Sequence, residues 1–169
     1  MIAFPIIRVI TKLLIPYILL FGLYVQFHGD FGPGGGFQAG VIFASALILY
    51  GLVFGLDAIK KVAPPWAIEK LIALGLVLYA GTGIACMLMG GNFLDYDVLE
   101  HHVLTELPES IDFLPGHKPH HFLPGSQHLG IFLVELGVGI TVTAVMTMIF
   151  YAFASRDQVK GRRKKEQLT

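Results

Sequence analysis

Apolar residues run with little interruption through four stretches of the chain, at about 9–27, 37–56, 66–89 and 129–154. Each has the roughly 20 mostly apolar residues that a helix needs to cross the hydrocarbon core of a bilayer. The pattern therefore predicts an all-α integral membrane protein with four transmembrane helices and one long loop between helices three and four. Only the first stretch is interrupted, by Lys12 and Pro16. Lys12 lies a turn from the helix end and can snorkel to the headgroups. Pro16 is tolerable where neighbouring groups satisfy the carbonyl it frees, and a kink is expected there. The run is too long for a cleavable signal, and no small-residue cleavage site follows it.

Composition agrees with this picture. The 169 residues are 54% hydrophobic and 14% charged, with a mean hydropathy of +0.69. The formal net charge is zero, which gives no reason to expect a nucleic-acid partner. Charge placement adds an orientation. Arg8, Lys12, Lys60, Lys61, Lys70, Arg156, Lys160, Arg162, Arg163, Lys164 and Lys165 fall on one side of a four-pass chain, and only Lys118 falls on the other. Cytoplasmic segments hold the Lys/Arg excess, so both termini are expected in the cytoplasm. Residues 1–155 then form the membrane domain and 156–169 a basic cytoplasmic tail beside anionic lipid. The lone cysteine, Cys86, sits among apolar neighbours and reads as a packing residue.

Between the first two spans lies "HGDFGPGGGFQAG", residues 28–40. It is not a phosphate loop, which needs a Lys-Ser/Thr pair after its glycines, and no strand precedes it as a dinucleotide fingerprint requires. Gly34, Gly35 and Gly36 permit positive φ and close backbone approach, and Pro33 fixes the entry. Irregular backbone at the edge of a bilayer must be buried in protein or line a wet cavity. The expectation is a tight turn or re-entrant loop flanked by His28, Asp30 and Gln38. A plain turn with solvated polar residues is the other reading.

Within the spans, Glu135 is the carboxylate placed well inside a helix. An ionisable residue there is costly and usually faces a bundle interior or an aqueous cavity. It is a candidate for an ion path or for a bond across to a partner subunit. Thr141, six residues on, is not a clear helical neighbour. Small residues (Gly75, Ala80, Gly81 and Gly83; Gly130, Gly137 and Gly139) allow close helix approach and suggest a component of a larger assembly. His101, His102, His117, His120, His121 and His128 lie in a proline-interrupted connection and read as solvated loop residues. The stretch "NFLDYDVLEHHVLTEL" can lie along the membrane surface.

The segment "GDFGPGGGFQAG" resembles the signature of the MrpB (MnhB) subunit family of multisubunit cation/proton antiporters, at Gly29, Pro33, Gly34, Gly35, Gly36, Phe37 and Gly40. "GIFLVELGVGITV", with Glu135 before Leu-Gly-Val, is similar to the family's fourth span. Asp30 stands where the family usually has histidine, and Ala39 where a second glycine is usual. An aspartate titrates near about 4 rather than about 6.5, so a relay role for that histidine does not transfer to Asp30.

The resemblance implies a multi-pass subunit in a prokaryotic cell membrane, without cofactor or metal. Its partners would be large proton-channel-like and small helical subunits, and Na⁺ and H⁺ the transported ions. Glu135, His28 and Asp30 are the candidates for the ion path. A membrane-arm subunit of an energy-converting hydrogenase and a purely structural scaffold are the alternatives.

Overall fold

A computed structural model describes residues 5–29, 34–95 and 126–166. Within them, five helices follow in order: α1 Pro5–His28, α2 Gly36–Phe54, α3 Leu56–Val62, α4 Pro65–Leu88 and α5 Ser126–Glu166. Among the described residues four segments are long and apolar enough to cross a membrane, namely α1, α2, α4 and the Gly130–Arg156 part of α5. The all-α, four-span expectation therefore holds.

The boundaries follow local chemistry. Proline opens α4 at Pro65, where the missing N–H is one of the unpaired first donors in any case. α1 runs through Pro16 as one helix. The second span stops at Phe54 rather than at Leu56, because Gly55 takes φ +97°, which no continuing helix adopts. Gly55 donates its N–H to the Gly51 carbonyl at 2.9 Å, and its own carbonyl accepts from Ala58 and Ile59 to start α3. This short helix, not expected from the apolar pattern, plugs one end of the molecule with Leu56 and Ile59. They join Ile68, Ala144 and Tyr151 in the buried core. The Tyr151 hydroxyl donates to the Ala63 carbonyl at 2.6 Å, tying α5 to the α3–α4 link. At the same end Arg8 and Lys12 sit over the Phe54 ring, 5.8 and 5.7 Å from its centre.

Helix α5 is the centre of the bundle. It packs extensively on α4 and on α2, while α1 packs mainly on α2 and meets α5 over a short stretch. Gly137 and Gly139 explain how one helix serves two neighbours. At about 100° per residue they point to nearly opposite sides. Gly137 meets Gly75 of α4, where a Cβ on Gly75 would stand 2.6 Å from the Gly137 oxygen. Gly139 meets α2, where a Cβ on Gly40 would stand 2.7 Å from the Gly139 oxygen. Backbones this close gain van der Waals and Cα–H···O contacts, which drive helix association where lipid removes the hydrophobic term. Thr141 faces Gly75 and donates to the Gly137 carbonyl at 2.8 Å, so it stands on the α4 side of α5.

Only 11 to 28% of each span is buried within the chain, so most of the surface is left for lipid or other subunits. Large apolar side chains such as Leu20, Val77 and Phe153 are accordingly exposed.

Candidate functional site: Glu135 on the glycine turn

The chain turns between α1 and α2 by a specific set of bonds. α1 ends at His28, and Gly29 begins the turn. On the far side Gly35 donates its N–H back to the Val25 carbonyl at 3.2 Å, folding the returning chain onto the last turn of α1. Gly35 has φ +115° and ψ 176°, a conformation open to glycine and closed to other residues. Its carbonyl accepts from Ala39 at 3.0 Å, which launches α2.

The side chain of Glu135 seats on this turn. A Cβ on Gly29 would lie 2.6 and 2.7 Å from its two carboxylate oxygens, and one on Gly35 would lie 3.0 Å from Oε1. A Cβ on Gly36 would run into the Glu135 backbone, 2.6 Å from the carbonyl carbon. The glycines therefore do more than bend the chain. They remove the side chains that would keep a carboxylate from the backbone. Helix α2 has no side-chain cap at Gly35. The first N–H groups of a helix lack intrahelical partners, and its N-terminus carries partial positive charge. The carboxylate of α5 thus stands at the electrically favourable end of α2.

Beneath this seat a polar line continues at four-residue spacing along α5, through Gly139, Thr143 and Thr147. The Thr143 hydroxyl lies 2.7 Å from the Gly139 carbonyl and 3.1 Å from the Gly40 carbonyl of α2. Thr147, fully buried, donates to the Thr143 carbonyl at 2.7 Å. From α1, Gln26 inserts between the helices with 4% exposure. Its Oε1 lies close to Gly139, where a Cβ would stand 2.8 Å away, and its Nε2 has no hydrogen-bond partner.

Of the residues singled out from sequence, Glu135, Gly29, Gly34, Gly35 and Gly36 are brought together; Gly34 packs on the Val25 oxygen and on Gly29. Gly40 joins them one turn lower. His28 is half-buried and stacks on Tyr24 of its own helix, ring centres 5.2 Å apart. Phe37 and Gln38 are exposed. Asp30 and Pro33 lie outside the described residues, as do the side chains of the six loop histidines.

Gln26, Thr143 and Thr147 were missed by sequence reasoning. For the threonines the available signal was spacing, since both follow Glu135 in steps of four along one helix face; Gln26 had none.

Comparison with known proteins carries the assignment. A family model described as "Domain related to MnhB subunit of Na+/H+ antiporter" matches residues 6–148. The chain is 34% identical over 137 residues to a Na(+)/H(+) antiporter subunit of Alkalihalophilus pseudofirmus, covering 79% of this chain and 85% of that one. It is 33% identical over 150 residues to a putative antiporter subunit mnhB2 of Staphylococcus haemolyticus, covering 88% and 93%. A putative antiporter subunit mnhB2 of Staphylococcus aureus (strain Newman) is 38% identical over 150 residues, with 88% and 93% covered. On a family match across most of its length and relatives at this identity, the chain belongs to the MnhB family of Na⁺/H⁺ antiporter subunits.

Proposed function

We propose that this transport subunit works within a multisubunit antiporter exchanging Na⁺ for H⁺, and that Glu135 adjoins the cation path. The observation that carries the reading is the seating of the Glu135 carboxylate on Gly29 and Gly35, at the start of α2. A carboxylate held at a turn on the membrane edge can take up either a proton or a hard cation, for which oxygen ligands are suited. The same seat also locks α5 to the α1–α2 turn, so the residue serves assembly as well. Partners are the large proton-channel-like subunits and the small helical ones that the family implies. The named relatives are antiporter subunits, which supports exchange over a redox-driven membrane arm.

In the orientation we propose, both termini are cytoplasmic and the glycine turn faces outward across the cell membrane of a prokaryote. The clustering of Arg8, Lys12, Lys60, Lys61, Lys70 and Arg156 at the α3 end supports it.

Glu135→Gln tests the role. The amide keeps the shape of the side chain and removes its charge. We expect the complex to assemble while Na⁺-dependent proton exchange falls on the order of tenfold or more, the cost of one charge-assisted contact at about 1.5–3 kcal/mol. Unchanged exchange and sodium dependence in an assembled complex would rule out a place on the path. Lost assembly would make Glu135 a structural clamp.

A further inference from the structure

A groove of about 350 Å³ opens between the helices, with Leu19, Leu23 and Gln26 from α1, Leu71 from α4, and Leu136 and Ile140 from α5 on its walls. Its lining is almost wholly apolar save at Gln26 and Thr143, and the threonine hydroxyl is already engaged with the Gly139 and Gly40 carbonyls. Gln26 differs. It is 4% exposed, and its Nε2 donor has no partner. A buried donor without an acceptor is costly, and a hydrocarbon chain offers it nothing. An occupant that is apolar along most of its length and carries an oxygen at one end would match the walls and, once the Gln26 amide turns toward the groove, satisfy its donor.

The dimensions narrow the occupant. From Leu19 to Gln26 the groove follows α1 for about 10 Å, some two-thirds of a leaflet of about 15 Å. An apolar cavity of about 150 Å³ holds a benzene, so by proportion this one holds roughly fourteen carbons. Depth agrees as well. In the 24-residue α1, Gln26 lies nine to ten residues beyond the midpoint, or about 14 Å from the bilayer centre for an upright helix. That is the border of the hydrocarbon core, where the glycerol esters of phospholipids stand.

We propose that this groove is a resident phospholipid site, in which one acyl chain lies along Leu19, Leu23 and Leu71 and its ester carbonyl accepts a hydrogen bond from Gln26 Nε2. The nitrogen is covered by the chain itself, so the ester reaches it after a turn of the amide about its terminal torsion, which is soft in glutamine. The lipid belongs to the leaflet on the side of the Gly29–Gly35 turn. The site depends on membrane immersion and not on cation exchange, and its test has no transport readout, so it stands or falls apart from Glu135.

The test uses the intact antiporter complex in nanodiscs of diacyl phosphatidylglycerol, or of the dialkyl ether analogue with the same chain lengths and no ester carbonyl. Lipid retained after detergent extraction is counted by native mass spectrometry. The wild type is expected to keep the diacyl lipid and to lose the ether analogue, a comparison that needs no variant. Gln26→Leu is expected to abolish the preference, and Leu23→Trp to expel both lipids by filling the groove. Equal retention of the ester and ether lipids by the wild type would overturn the proposal. So would a photoreactive benzoylphenylalanine in place of Leu23 that crosslinks another subunit instead of lipid.

Discussion

Replacing Gly36 by alanine probes the contact that seats Glu135. The added Cβ would stand 2.6 Å from the Glu135 carbonyl carbon and 2.9 Å from its Cα. The Cβ would come closer still to the Glu135 carbonyl oxygen, and carbon atoms rest at about 3.5–4.0 Å, so α2 and α5 must part by more than about 1 Å at this level. Neighbouring contacts on the same seam, Gly40 on Gly139 and Thr143 on Gly40, open with it. A gap of 0.5–1 Å already forfeits about a quarter to a half of each van der Waals well, and overpacking costs about 1–3 kcal/mol. We expect a loss of about 2–3 kcal/mol, near the top of that range, since lipid supplies no hydrophobic pressure to push the helices back together.

Gly81→Ala is the matched control, because nothing lies within 4 Å of its added Cβ. That change should be neutral or stabilising by about 0.5–1 kcal/mol through helix propensity. Unfolding in mixed detergent micelles, followed by the loss of a fluorescence contact between α2 and α5, measures both variants. The expected difference of about 2–4 kcal/mol is roughly a hundredfold in the unfolding equilibrium. Equal stability of the two variants would refute the close-packed seam.

Further expectations concern the other end of the molecule and its orientation. Tyr151→Phe removes the 2.6 Å bond to the Ala63 carbonyl and should cost about 1 kcal/mol in the same unfolding assay, with no change in ion selectivity. Cys86 is fully buried, so a Cys86→Ser background suits labelling from either side of the membrane. An impermeant maleimide is expected to reach Gln38→Cys in intact cells and Arg156→Cys only after permeabilisation. The reverse pattern would invert the proposed topology.

How much of this was legible in the chain depends on the kind of physics involved. The spans were legible because a bilayer enforces a simple rule: about 20 apolar residues, whatever their neighbours. The glycine segment was legible as a turn, because consecutive glycines after a proline admit few other uses. Glu135 stood out because a carboxylate in a span is costly anywhere. What could not be read was the partnership between them, since residues 29–36 and 135 are about a hundred positions apart and meet only when α5 docks. Gln26 was invisible for a related reason. A glutamine near a helix end reads as polar surface until tertiary packing covers it.

Sequence alone thus determined the membrane character, the number of spans and the family motif, all of them set by local composition and by the solvent. The tertiary structure decided that α5 is the central helix, that Gly137 and Gly139 serve opposite neighbours, and that Gly55 and α3 close one end. It also decided that the carboxylate sits on the glycine turn. These are outcomes of backbone-to-backbone fit between segments distant in the chain, and in a bilayer that fit, not hydrophobicity, selects which helices touch.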